Sequence, residues 1–171
     1  MKLSMMQGRL VPPVDNQIQF YPVNNWEEEF VLAKKLGLYS IEWIYEKKNA
    51  NLNALSTKLG VEKIKSIIKE TGVQVKSICA DYFMEELLLN NGAIVKKNIE
   101  HLEWLCDQAR LLDVDYVILP FVDASSLKGN DDIELLGNVL IDFISTRKNL
   151  GIEIHIEADL KPGQFIKIFD K

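Results

Sequence analysis

Two cysteines, two histidines and no long apolar run show what this sequence does without. Cys79 and Cys106 stand far apart with no metal-type spacing, which argues against a zinc knuckle or a disulfide framework. Two reduced, packed thiols in a cytoplasmic protein are expected instead. No apolar stretch approaches the roughly 20 residues of a membrane span, so no membrane partner is expected. Positive charge is also short: 20 Lys and Arg against 25 Asp and Glu leave a net charge of −5. A general nucleic-acid binder needs a basic face for phosphates, and none is implied. Met1-Lys2-Leu3-Ser4-Met5-Met6-Gln7 carries one lysine before a polar turn, so no signal peptide is expected. Gly8 stands alone ahead of Pro12 and Pro13. That weakens a nucleotide- or flavin-binding reading, which wants a Gly-rich cradle after the first strand. No Ser or Cys sits in a nucleophile elbow.

What is present is the profile of one soluble globular domain over residues 1–171, with 47% hydrophobic and 26% charged residues. The segments alternate. A first strand is expected over Leu3–Gln7, then a long Pro-bearing loop to Asn25, well beyond the usual two to about six residues of a βα connection. Asn25-Trp26-Glu27-Glu28 opens a helix with a capping-box-like arrangement, and Glu27, Glu28 and Glu29 suit its positive end. Trp26, Phe30, Ala33 and Leu36 share one face, and Gly37 ends the helix. Further strands are expected at Ser40–Tyr45, Val73–Ala80, Tyr116–Phe121 and from Gly151 onward; further helices at Val61–Thr71, Ile94–Leu112 and Ile133–Asn149. Tyr116–Phe121 is apolar on both faces, as a parallel strand covered by helices should be. Lys161-Pro162-Gly163 then begins another helix with its proline in the first turn.

A short turn feeds each new strand: Leu36-Gly37-Leu38, Thr71-Gly72-Val73, Leu112-Asp113-Val114 and Leu150-Gly151-Ile152. Parallel βα repeats follow, hence an α/β fold. Two architectures accept them. A five-stranded doubly wound sandwich fits the length directly, and pattern alone favours it. A (βα)8 barrel needs about 250 residues, so this chain would supply its first five strands.

Particular words of the sequence favour the barrel. Gln7-Gly8-Arg9-Leu10-Val11-Pro12-Pro13, Ile18-Gln19-Phe20-Tyr21-Pro22 and Trp26 with Glu28-Glu29-Phe30 resemble the opening of bacterial sugar phosphate isomerase/epimerase-type proteins. So do Ile41-Glu42-Trp43, Cys79-Ala80-Asp81-Tyr82-Phe83-Met84, Leu119-Pro120-Phe121-Val122-Asp123 and Glu157-Ala158-Asp159-Leu160. That family lies within the xylose-isomerase-like TIM barrels, together with ketose 3-epimerases and endonuclease IV. The resemblance implies an N-terminal (βα)5 portion of such a barrel. It further implies metal-dependent isomerisation or epimerisation of a small sugar or sugar phosphate by the complete barrel. One divalent metal, Mn2+ or Mg2+, is implied, held by a Glu after strand five and by an Asp, a His and a second Glu from strands six to eight. Glu157 matches the first ligand and doubles as a catalytic acid/base; the other three would lie beyond Lys171. An endonuclease-like role is set aside, since only His101 and His155 are available and the net charge is negative.

Other candidates follow from residue type and place. Arg9, just after strand one, can meet a phosphate or carboxylate with its fork of donors. Glu42 within strand two and Asp81 at the end of strand three need partners if buried, either a substrate or a structural ion pair. His155 shares the strand parity of Glu157 but lies deeper, where a packed, hydrogen-bonded role is expected. Trp43, Tyr82 and Phe83 can wall a sugar ring or simply pack. The unpaired edges of a five-stranded partial barrel invite self-association, and the alternative to an enzyme is a non-catalytic α/β binding or assembly module, or an inactive barrel remnant.

Overall fold

The computed structural model describes residues 2–14, 17, 19–147 and 151–169. Its elements in order are β1 (Ser4–Met6), α1 (Trp26–Lys35), β2 (Ser40–Ile44), α2 (Lys58–Thr71), β3 (Gln74–Cys79) and α3 (Tyr82–Glu85). Then come β4 (Leu89–Asn90), β5 (Ala93–Ile94), α4 (Lys96–Leu111), β6 (Tyr116–Phe121), α5 (Asn130–Thr146), β7 (Glu153–Ala158) and α6 (Pro162–Phe169). The helix expected to run to Asn149, and Leu150 of the following turn, reach outside the described residues.

Local chemistry sets the boundaries. Thr57 starts α2 one turn earlier than its apolar stripe suggests, because its side chain accepts the Gly60 N–H. Gly72 closes the same helix at φ 79°, in the left-handed region where glycine carries no Cβ penalty. The expected capping box at Asn25 does not form: its side chain makes no cap bond, and the backbone closes the start instead, Glu28 N–H donating to Asn25 C=O. A turn through Asn91 (φ 50°) and Gly92 (φ 72°) folds β4 back on β5 as a small antiparallel ladder that the strand-helix pattern did not reveal.

Five strands pair in parallel in the order β1-β2-β3-β6-β7, which is chain order. This excludes the doubly wound sandwich. That fold needs a switch point where strand order reverses, so that right-handed crossovers send helices to both faces. With no reversal, right-handed crossovers all fall on one side, as in a barrel wall. Ile41, Trp43, Val75, Ile78, Val117 and Leu119 belong to the core, with Ile154 and Ile156 packed partly buried against it. The alternate residues of β7, Glu153, His155 and Glu157, are exposed on the opposite, inner face.

One irregularity matters for that inner face. Ile41 pairs with Val75 but Glu42 with Ser77, so Lys76 is an extra residue in β3. This bulge resets the alternation and sets Ser77 and Cys79 on the same face as Glu42. Trp43 lies on the other face, fully buried, with ring centroids of Tyr21 and Trp26 each at 5.5 Å and its Nε1 donating to Asn53 Oδ1 at 3.0 Å. Trp43 is therefore core, not a wall for a sugar. Phe83 is likewise buried, while Tyr82 is half-buried and stacked on His101 with centroids 4.2 Å apart. Cys79 and Cys106 are free and buried, as expected. No helix among the described residues is long and apolar enough to cross a membrane.

Candidate active site

The C-terminal ends of the parallel strands carry two of the four candidate residues, Glu157 and Asp81, while Glu42 lies mid-strand in β2. Glu157 sits near the end of β7, paired in register with Pro120 of β6, its side chain on the exposed inner face. Glu42, in β2 and paired in register with Ser77 of β3, is half-buried, with Oε2 accepting the Ser77 hydroxyl at 2.7 Å. It is satisfied by a neutral hydroxyl and makes no ion pair among the described residues. Asp81 stands two residues past the end of β3, after Ala80. Its Oδ1 accepts the Cys79 thiol at 3.1 Å and its Oδ2 accepts the side-chain amide of Gln19 at 3.4 Å.

The electrostatics tie these groups together. Burial raises the Asp81 carboxyl above its ordinary value; the Cys79 and Gln19 bonds oppose this, and the negative charges of Glu46 and Glu157 add to it. The Cys79 thiol is pushed up strongly, first by burial, then by Asp81, Glu42 and Glu157. Cys79 therefore stands among three carboxylates as a neutral hydrogen-bond donor, not as a nucleophile. A group like Asp81, held protonated to higher pH than usual, suits proton transfer.

Arg9 stands at the same end of the sheet, in the loop leaving β1, with an exposed side chain. Among the described residues it makes no side-chain hydrogen bond or ion pair, so it does not join the carboxylate group directly. Its backbone neighbours are held: Gly8 N–H and Leu10 N–H both donate to Glu29 Oε1, at 2.8 and 3.2 Å. His155 is hydrogen-bonded, as expected, to Glu153 Oε2 at 2.9 Å, and stacked on Tyr116 at 4.2 Å, yet it is exposed and not packed.

Glu157 is the single position that matches the implied metal. Among the described residues no three His, Cys, Asp or Glu side chains stand so that they could hold a metal ion. A hard divalent cation takes about six oxygen ligands, and one exposed carboxylate falls well short of that set.

Several residues here escaped the sequence reading. Glu29 was hidden among three consecutive glutamates, yet it occupies the inward stripe of α1, three residues after Trp26 and beside Phe30. Gln19 and Ser77 carried no signal beyond being polar. Tyr45 and His101 form a bonded pair at 3.0 Å, flanked by Tyr82 and Trp104, where burial holds the imidazole below its ordinary pKa.

No protein-family model and no curated protein matches the chain. Solved structures do. The apo form of the 3-keto-D-glucoside 4-epimerase YcjR from E. coli is 15% identical with a TM-score of 0.59, covering 91% of this chain and 55% of that one. The IolI protein with a bound zinc atom is 14% identical with a TM-score of 0.62, covering 92% and 51%. A xylose isomerase-like TIM barrel protein from Mycobacterium smegmatis, in complex with magnesium, is 14% identical with a TM-score of 0.59, covering 98% and 60%. The chain thus spans between 51% and 60% of the length of these proteins. At such identities the likeness is one of fold, and that fold, five parallel strands in chain order with their helices on one side, is a partial xylose isomerase-like TIM barrel.

Proposed function

We propose that this chain contributes one part of the active site of a sugar isomerase or epimerase, acting on a small sugar or sugar phosphate once the barrel is complete. The observation that carries the reading is the exposed carboxylate of Glu157 at a strand end, near enough to Asp81 for its charge to raise that carboxyl further. Structural neighbours named as an epimerase, as a protein with a bound zinc atom and as a TIM barrel protein in complex with magnesium support it. Stereochemical inversion next to a carbonyl requires a base to take the C–H proton and an acid to return one. Glu157 is assigned the first role, and the acid that returns a proton to the opposite face would come from outside these residues. Glu42 and Asp81 accept hydroxyl hydrogens of the substrate, and Arg9 meets its anionic or carbonyl oxygen. A divalent cation, Mn2+ or Mg2+, would polarise the carbonyl when bound. Glu157 would give it one ligand, the rest coming from outside these residues.

The test is solvent isotope exchange by the protein as its own cells make it, in D2O with Mn2+ and a panel of ketoses and ketose phosphates. Metal-dependent deuterium uptake beside the carbonyl is expected, falling at least about 100-fold in Glu157→Gln, the scale of a lost general base. No uptake by the unaltered protein on any sugar of the panel overturns the reading.

A second reading is favoured by the sheet margins. Among the described residues each of β1 and β7 pairs on one side only, and β7 exposes Glu153, His155 and Glu157. Such edges pair readily with another chain. On this reading the chain is a non-catalytic assembly module that self-associates, and equilibrium sedimentation showing a lone monomer at all concentrations counts against it.

A further inference from the structure

The loop that leaves β1 is held from behind by α1. Glu29 Oε1 accepts the N–H groups of Gly8 and Leu10, the residues on either side of Arg9. Backbone N–H groups that converge on one oxygen form an anion nest, and here a side-chain carboxylate fills it. The nest depends on a tight turn. Gly8 has φ +85°, and a Cβ there would lie 2.8 Å from the Phe20 carbonyl oxygen.

Glu29 is a poor choice for stability alone. It is fully buried and its Oε2 has no hydrogen-bond partner among the described residues. A buried, half-satisfied carboxylate costs the fold, and residues that break packing rules in this way mark functional or strained sites. What it holds is the backbone on both sides of the exposed Arg9, at the sheet end that carries Asp81 and Glu157.

We propose that Glu29 is the positioning residue of Arg9. By clamping both flanking residues it fixes the root of the Arg9 side chain, so that the guanidinium receives an oxyanion of the ligand at the C-terminal end of β1. The inference rests on the reading of Arg9 as a substrate contact.

Trypsin cleaves after arginine, so the bond between Arg9 and Leu10 reports both the clamp and the occupancy of the guanidinium. Native cleavage there is compared with cleavage after exposed Lys128, in the unaltered chain and in Glu29→Gln, Glu29→Ala and Glu29→Asp. Gln keeps the acceptor oxygen and should behave as the unaltered chain. Ala should open the bond at least about tenfold faster with Lys128 unchanged, the scale of losing two hydrogen bonds that govern local opening. If Ala unfolds the chain, which faster cleavage at Lys128 reveals, Asp keeps the charge, shortens the reach and takes its place. Inorganic phosphate or acetate, at constant ionic strength, should slow cleavage after Arg9 in the unaltered and Gln chains. Protection by phosphate alone assigns a phosphoryl oxyanion, and protection by both assigns a carboxylate-sized site. Equal cleavage in every variant, or no protection by either anion, overturns the proposal. Absence of isotope exchange with protection intact overturns the isomerase reading instead, so the two fail separately.

Discussion

Replacing Glu29 by Gln should remove a pH dependence of stability that this one carboxyl creates. Burial raises its pKa from the ordinary 4.5 to about 7, and the Leu10 and Gly8 N–H bonds offset only part of that. The folded protein therefore holds the proton more tightly than the unfolded chain. Stability from this group is fully present below about pH 4.5, declines as pH rises toward 7, and is gone above it. At 1.36 kcal/mol per pKa unit the full swing is about 3 kcal/mol; we take about 2 kcal/mol as the expected value, since relaxation in a real interior softens burial. The assay is urea unfolding followed by tryptophan fluorescence at a series of pH values from about 4.5 to 8.5. Subtracting the Gln curve from the unaltered curve cancels the other titrating groups, Asp81 included. The difference should fall with rising pH and flatten above 7. A flat difference, or one that rises with pH, would refute the account of Glu29 as a buried, proton-retaining clamp.

Three further outcomes follow from the packing. Gly60→Ala should destabilise by about 2 kcal/mol or more, the reverse of the usual gain of about 1 kcal/mol for Ala over Gly in a helix. A Cβ at that position would run into the Ala54 backbone, and the urea midpoint reads the sign. Gly137→Ala should loosen α6 locally, because its Cβ would stand 2.9 Å from the Ile168 carbonyl oxygen; hydrogen exchange over residues 162–169 should accelerate while β6 stays protected. Cys79 and Cys106 should resist iodoacetamide at pH 8 at least about tenfold more in the native chain than in urea, since the reactive form is the thiolate. Burial raises both thiols, Cys106 to about 12. Equal alkylation rates in the two states would contradict their burial.

Much of the fold was legible because the helices end where chain chemistry says they must. Gly37 and Gly72 are both left-handed at helix ends, and the strands after them follow within a few residues. Strand order was not legible from periodicity, because a barrel wall and a doubly wound sheet repeat the same βα unit; only the resemblance of particular words distinguished them. The Lys76 bulge was hidden, since a one-residue insertion leaves no mark in a short, mixed strand. The β4–β5 turn did leave one, as Asn91-Gly92 is a hairpin signal, but its strands of two residues each are too short for any alternation to show. At the site, position was readable and partnership was not. Asp81 and Glu157 could be placed at strand ends and Glu42 within its strand, whereas the Ser77, Cys79 and Gln19 bonds depend on pleat parity and on a distant loop.

The identity of sheet order and chain order bears on how the protein is made. As synthesis proceeds from the N-terminus, every strand emerges to find its neighbour already exposed: β2 beside β1, β3 beside β2, β6 beside β3, β7 beside β6. No early strand must wait unpaired for a late one, so the nascent chain can add each unit to a growing edge at the pace of the ribosome. The growing sheet has two open margins at any moment, the outer edge of β1 and the newest strand, and only the second moves as synthesis proceeds.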